Sequence, residues 1–259
     1  MKNVAVLTGA TGGLGKAFIC ELLKENIDEI WAIARNQNKL DALCEQFGEK
    51  IVPVKCDLSI ESEVKNLQVL FDEQKPNIVF LINNAGIAKM GKIIDFNDDD
   101  ISHTVEINCK APTLICQYAV PYMHSGSKIL NISSASSFQP NPYIALYSAS
   151  KVYLRSYSRS LNYELKEKGI TCTAVCPGWI DTEMLKTEQN GNHVKFPGLV
   201  SPERVVKKAL KDAKKGKDMS VCSLFVKYEH LCSKIYPQKW LMRIWGKAVE
   251  KYVKDQNRI

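Results

Sequence analysis

The chain has 259 residues, 45% of them apolar and 24% charged, which suits one large α/β domain or two small ones. No run approaches about 20 uninterrupted apolar residues, so no membrane span is expected, and the opening MKNVAVLTGATGG lacks the long apolar stretch of a secretory signal. The net charge of +7 is unevenly placed: residues 201–259 hold 15 Lys/Arg against 6 Asp/Glu, whereas residues 1–200 hold 20 against 22.

Apolar, β-rich runs occupy 3–8, 29–34, 50–55, 77–82, 127–133 and 170–176. Helical patterns fill 13–25, 39–47, 59–73, 98–124 and 145–168 between them. Near-continuous apolar strands alternating with helices predict a parallel sheet covered by helices on both faces. Right-handed crossovers then make it a single-domain, doubly wound Rossmann-type α/β fold. A helix from Ser201-Pro202, a last strand at 218–222 and a C-terminal helical extension follow. The expected division is a cofactor and catalytic core over 1–183, a substrate lid over 184–200 and a basic extension over 201–259.

Thr8-Gly9-Ala10-Thr11-Gly12-Gly13-Leu14-Gly15 joins the first strand to the first helix. Glycines there let the backbone approach a pyrophosphate, and the helix N-terminus adds N–H donors and positive dipole. The spacing fits both G-x-x-x-G-x-G (Gly9, Gly13, Gly15) and G-x-x-G-x-x-G (Gly9, Gly12, Gly15). An acidic residue at the tip of the second strand would bond a ribose 2′-hydroxyl and favour NAD. Arg35 stands there instead, and a guanidinium suits a 2′-phosphate, so NADP(H) is expected over NAD(H).

Ser134, Tyr147 and Lys151 are spaced by thirteen and four. Tyr147 and Lys151, at i and i+4, share a face if the segment is helical. A phenol near pH ~10 is a poor catalyst at neutral pH. An ammonium one turn away would stabilise the phenolate and lower that pKa. A serine hydroxyl beside the pair would hold a substrate oxygen against the tyrosine. Together they form a device for moving a proton on and off an alcohol or carbonyl oxygen.

Several motifs in a fixed order resemble the short-chain dehydrogenase/reductase family, in its branch of about 250 residues, over roughly residues 1–183. They are Thr8-Gly9-x-x-x-Gly13-x-Gly15, Cys56-Asp57-Leu58-Ser59, Asn83-Asn84-Ala85-Gly86, Asn108 within Glu106-Ile107-Asn108, Ser134 before Tyr147-Ser148-Ala149-Ser150-Lys151, and Pro177-Gly178-Trp179-Ile180-Asp181-Thr182. The resemblance selects the Gly9, Gly13, Gly15 spacing. It implies a cofactor site built from Gly9, Thr11, Gly13, Leu14, Gly15, Arg35, Asp57, Leu58, Asn84, Ala85, Gly86, Tyr147, Lys151, Pro177, Gly178, Ile180 and Thr182. In that reading Asp57 contacts the adenine amino group and the segment from Pro177 to Thr182 contacts the nicotinamide carboxamide. Tyr147 is the general acid–base, and Lys151 lowers its pKa and holds the nicotinamide ribose. Ser134 orients the substrate oxygen, and Asn108 anchors a water that links Lys151 to solvent. Other roles stay open: Asp57 or Ser59 as a helix cap, Asn83 and Asn84 as turn formers, Asn108 bonding backbone across a helix kink, and Ser133, Ser136 or Ser137 as the orienting hydroxyl in place of Ser134.

The implied function is NADP(H)-dependent interconversion of a carbonyl and a secondary alcohol; the alternative is a nucleotide-sensing or scaffold protein on the same fold. Phe138, Pro140, Pro142, Tyr143, Trp179, Met184 and Phe196 are candidate walls of an apolar pocket, which favours a hydrophobic ketone. The polar Gly/Asn stretch 185–193 has the hinge composition of a mobile lid. In the tail, Trp240, Leu241, Ile244, Trp245, Ala248, Val249, Tyr252 and Val253 form one apolar stripe, with Lys239, Arg243, Lys247, Lys251 and Lys254 mainly on other faces. Such a stripe is expected to pack on its own domain or on a partner subunit of a homo-oligomer, dimer or tetramer. Membrane-surface contact through 224–254, or docking to an acidic partner, stands behind that reading. No nucleic-acid motif accompanies the charge. Nine dispersed cysteines without a C-x-x-C pair read as reduced thiols of a cytoplasmic protein, and four separated histidines give no metal spacing.

Overall fold

In the computed structural model, which describes residues 1–183, 185, 188–189, 192–193 and 196–256 (backbone alone at 188–189, 192–193 and 251–256), the six apolar runs form strands. They are β1 (Asn3–Thr8), β2 (Glu29–Ala34), β3 (Ile51–Lys55), β4 (Asn77–Asn83), β5 (Lys128–Ile132) and β6 (Thr171–Val175). The helices among them are α1 (Gly13–Leu22), α2 (Gln37–Phe47), α3 (Glu61–Gln74), α4 (Asp98–Val105), α5 (Ala111–Ala119) and α6 (Ala145–Glu164). An antiparallel ribbon, β7 (Glu188–Gln189) with β8 (Asn192–His193), precedes α7 (Pro202–Lys214), β9 (Met219–Ser220), α8 (Leu224–Ile235) and α9 (Gln238–Gln256).

Seven strands pair in the order β3-β2-β1-β4-β5-β6-β9, all parallel. The order reverses between β1 and β4, and the crevice outside their carboxyl ends is where such sheets bind ligands. Alternate strand residues serve opposite faces. Ala5 and Leu7 pack with Phe18 and Leu22 of α1, Leu40 of α2 and Val206 of α7. Val4 and Val6 pack with Leu67 and Phe71 of α3 and Ile115 of α5. Each such fully buried side chain contributes about 1.5–3 kcal/mol.

The expected helix over 98–124 is broken. A π-helical turn at Glu106–Lys110 separates α4 from α5, because Asn108 turns inward there to bond the backbone of Ile87. The helix expected over 145–168 ends as α6 at Glu164 and closes in a 3-10 turn at Gly169, whose φ of 68° is left-handed. The last strand is two residues long rather than 218–222. The cap expected at Ser59 is absent: α3 starts at Glu61, and Ser59 instead donates to Asp57 through its amide (3.0 Å) and hydroxyl (2.7 Å). Of the expected lid, residues 184, 186–187, 190–191 and 194–195 lie outside the described residues, and so does Met184 as a pocket wall.

All nine cysteines are free thiols. Burial pushes Cys56 and Cys116 up to about 12, Cys176 up to about 11, and Cys172 well above its ordinary value. The unfolded chain releases these protons near the ordinary value of 9.0 while the fold keeps them, so stability is full below that pH and lost as pH rises. Burial pulls Lys151 down to about 8 from 10.5 and lowers Lys128 too, which acts in the opposite sense, but Cys44, Cys109 and Cys222 are raised along with the four deepest thiols. The denaturation midpoint is therefore expected to hold to about pH 8.5 and to fall steadily above about pH 9. A midpoint unchanged to pH 11 in a urea titration series would contradict this account.

Candidate active site

α6 opens from a strained corner. Tyr143 has φ of 69°, a left-handed conformation rare for an aromatic residue, and its carbonyl accepts from the Gly91 amide at 2.8 Å. That corner aims the first turn of α6 at the carboxyl end of β5. Tyr147 and Lys151 lie on the same face, with the Lys151 Nζ 5.6 Å from the Tyr147 ring centroid. Lys151 is buried, and its Nζ donates to the Ile132 carbonyl at 2.8 Å, the last residue of β5. Ser133 Oγ donates to the Lys151 carbonyl at 2.8 Å. Ser134 caps a 3-10 turn by accepting from the Ser136 amide (3.1 Å), while the Ala135 amide donates to the Pro177 carbonyl (2.7 Å) at the end of β6. Two strand tips and one helix thus hold serine, tyrosine and lysine together.

Burial pushes the Tyr147 phenol above its ordinary value, and hydrogen bonding from Ser134 opposes that push. The sequence reading expects Lys151 to pull the phenol down. The structure differs, because Lys151 is itself desolvated and gives its Nζ to a carbonyl rather than to the phenol. In this arrangement the phenol keeps its proton.

Asn108 is fully buried in the π turn. Its Oδ1 accepts from the Ile87 amide (2.9 Å), and its Nδ2 donates to the Ile87 carbonyl (2.9 Å) and to Ser150 Oγ (3.0 Å). Ser150 in turn donates to the Tyr147 carbonyl at 2.7 Å. The backbone-bonding role left open for Asn108 is therefore present, and Ser150 ties it to α6.

On the other side of the crevice, Gly9 (φ 63°) begins the turn into α1. Thr8 Oγ1 accepts from the amides of Asn84 (3.0 Å) and Ala85 (3.1 Å), and Asn84 Nδ2 donates to the carbonyls of Thr8 (3.1 Å) and Gly9 (3.0 Å). Asn84 thus anchors the glycine turn. Asn83 is an interior strut, donating to Asn131 Oδ1 at 2.8 Å. The segment from Pro177 to Thr182 reaches back to the same turn: a Cβ built on Gly13 would lie 3.1 Å from Thr182 Cγ2. At the tips of β2 and β3, Arg35 and Asp57 face the same edge. Burial pushes the Asp57 carboxyl up, but Ser59 and the charges of Arg35 and His103 more than offset this and hold it below its usual range.

This surface fits a dinucleotide. Gly12 and Gly13 are exposed at the start of α1, whose N-cap has no side-chain hydrogen bond, so its amide donors face the crevice uncapped. A Cβ on Gly86 would lie 3.0 Å from Lys151 Nζ and 3.3 Å from Asn108 Oδ1, so the two sides of the crevice meet closely there.

The apolar wall differs from expectation at one end. Phe138 is buried with Ala174, Cys176 and Val226, stacked on His230 at 4.2 Å with the Arg155 guanidinium 5.2 Å over its ring, so it is core and not cleft. Trp179 packs on Phe196 at 4.8 Å and on Trp245 of α9 at 6.2 Å, and Trp245 Nε1 donates to the Pro142 carbonyl at 2.9 Å. Trp245 and Ser150 are not singled out from the sequence as site residues. The last lies inside the Tyr147–Lys151 motif; nothing in the linear pattern linked Trp245 to Pro142.

Residues 3–193 match the family described as short chain dehydrogenase. Among similar proteins, a 3beta-hydroxysteroid dehydrogenase of Mediterraneibacter gnavus is 31% identical over 75% of this chain and 71% of its own length. Among the similar solved structures are two that are 25% identical. One, a blue fluorescent protein from a metagenomic library in complex with NADPH, has a TM-score of 0.75 over 85% of this chain and 95% of that chain. The other, a bulky-bulky ketone specific alcohol dehydrogenase from Comamonas testosteroni, has a TM-score of 0.73 over 93% and 94%.

Proposed function

This chain belongs to the short-chain dehydrogenase family, and on that premise we propose that it is an NADP(H)-dependent oxidoreductase interconverting an apolar ketone and a secondary alcohol, with Tyr147 as the acid–base. The observation that carries the reading is the set of half-buried Ser134 and Tyr147 with buried Lys151 at the tip of β5, facing the glycine turn across Gly86. Gly9, Thr11, Gly13, Leu14 and Gly15 would hold the pyrophosphate, Arg35 the 2′-phosphate, and Asp57 and Leu58 the adenine. Ala85, Gly86 and Lys151 would hold the nicotinamide ribose, and Pro177, Gly178, Ile180 and Thr182 the carboxamide. Bound there, the nicotinamide supplies or accepts the hydride.

The chain supplies position, proton and field. Ser134 orients the substrate oxygen against the Tyr147 hydroxyl. The phenol, kept protonated by burial, gives its proton to a carbonyl oxygen in reduction and takes one from the alcohol in oxidation. Lys151, held near about 8, keeps mostly positive charge near neutral pH beside the phenolate that forms. Trp179, Phe196 and Trp245 give the cleft an aromatic side suited to a bulky apolar ketone. A homo-oligomer and a cytoplasmic location belong to the same reading, as does the division into core (1–183), lid (184–200) and extension (201–259).

The test follows reduced-nicotinamide absorbance with apolar ketones, using NADPH and NADH in parallel. NADPH oxidation that disappears in Tyr147→Phe supports the reading. Tight NADPH binding without turnover on any ketone would favour a sensor instead. Arg35→Ala is expected to erode the kcat/KM preference for NADPH over NADH by about tenfold or more, the worth of a charge-assisted contact. An unchanged ratio would remove Arg35 from the selector role.

A further inference from the structure

α8 and α9 each turn one side to the domain. Val226 and His230 of α8 pack on Gly178 and Phe138, and Trp245 and Val249 of α9 are the side chains it seats inward. The apolar stripe expected to pack as a unit therefore splits. Leu224, Tyr228, Leu231 and Ile235, spaced four, three and four apart, form an outer row on α8, continued by Trp240 and Ile244 on α9; all six are between 52% and 77% exposed. Tyr236, at the corner between the helices, is exposed as well, and lies close enough to Tyr228 to influence its phenol. A row of exposed apolar side chains of this length on a globular protein marks an interaction site.

The charges around it decide what it meets. Lys227, Lys234, Lys239, Arg243 and Lys247 are all exposed along the two helices, whereas the acidic residues from 221 to the end of α9 are Glu229 and Glu250, both half-buried, and Asp255. Burial pushes the Glu229 carboxyl up, toward its neutral form. A second copy docked by two-fold symmetry would set this basic rim against itself, which costs binding. An anionic lipid surface has the opposite sign and no such penalty. Tyr and Trp among the exposed residues suit the headgroup level. Among the described residues no helix is long and apolar enough to cross a membrane, so contact is confined to lying on one.

We propose that the outer face of α8 and α9 docks the protein on an anionic lipid surface, the apolar row entering the headgroup boundary and the basic residues pairing with lipid phosphates.

The test is flotation of the full chain with phosphatidylcholine vesicles, with and without phosphatidylglycerol. Binding is expected with phosphatidylglycerol, weakened by salt. Leu231→Glu with Ile244→Glu should weaken it about tenfold or more, as should Lys234→Glu with Arg243→Glu. Both variants are checked for unchanged thermal unfolding and unchanged NADPH binding in solution, and the charge pair keeps the test informative if the apolar pair misfolds. No flotation with phosphatidylglycerol overturns the proposal, and so does flotation indifferent to both pairs. A dimer in sedimentation velocity that Leu231→Glu dissolves, without vesicle binding, would assign the face to a second copy and overturn it equally.

Discussion

Tyr147→Phe is expected to lower kcat for ketone reduction by about 10²–10⁴-fold, the usual worth of general acid–base assistance, while NADPH binding stays close to that of the unaltered chain. The barrier rises by roughly 1.4 kcal/mol per factor of ten. The substitution removes one oxygen and leaves the ring whose centroid stands 5.6 Å from Lys151 Nζ, so the pocket keeps its shape and loses the proposed proton donor. The pH dependence follows from which form works. Reduction uses the protonated phenol, and burial raises the pKa, so kcat for reduction holds at neutral pH and falls as pH rises through that pKa. Oxidation uses the phenolate and rises over the same range. Stopped-flow single-turnover rates in both directions separate this step from product release. Equal rates for Tyr147→Phe and the unaltered chain would end the assignment.

Gly15→Ala is expected to collapse cofactor binding where Gly12→Ala does not disturb the fold. A Cβ at Gly15 would lie 2.3 Å from the Gly9 carbonyl oxygen, 2.7 Å from that of Ala10 and 2.8 Å from the Ala10 carbonyl carbon. All three are backbone atoms, so no flexible side-chain end can yield and the turn itself must move. Overpacking of this kind costs about 1–3 kcal/mol or more, and it acts on the segment that would hold the pyrophosphate. At Gly12 the nearest atom is 3.6 Å away, an ordinary contact, and the backbone φ is −81°. Thermal unfolding should therefore separate the two variants, and NADPH fluorescence titration should show Gly15→Ala losing affinity by at least about tenfold. Wild-type affinity in Gly15→Ala would mean that the turn is not the cradle.

The distinction also bears on the two glycine spacings the sequence allowed. Packing excludes a side chain at Gly9, Gly13 and Gly15 more tightly than at Gly12, since Gly13 meets Thr182 at 3.1 Å and Gly9 meets Ala85 Cα at 2.9 Å. The spacing Gly9, Gly13, Gly15 is thus the one the protein's own packing enforces.

Features that depend on near neighbours are legible along the chain. Alternating apolar runs gave six strands and their covering helices. The i, i+4 spacing put Tyr147 and Lys151 on one face, since a helix repeats every 3.6 residues. The resemblance identified Ser134 and Asn108 by their places in ordered motifs. Tertiary structure decided what depends on distant partners. It turned Asn108 onto Ile87 through a π turn that no periodicity announces, and it gave Lys151 Nζ to the Ile132 carbonyl, while burial outweighs the Ser134 hydrogen bond in setting the phenol. It sent Phe138 to the core beneath α8 and brought Trp245 to Pro142 from 103 residues away. It also split the terminal stripe, because a helix lying on a curved domain can seat only one side of an apolar arc wider than its contact. Local periodicity records which residues prefer burial; only the closed fold decides which of them find it.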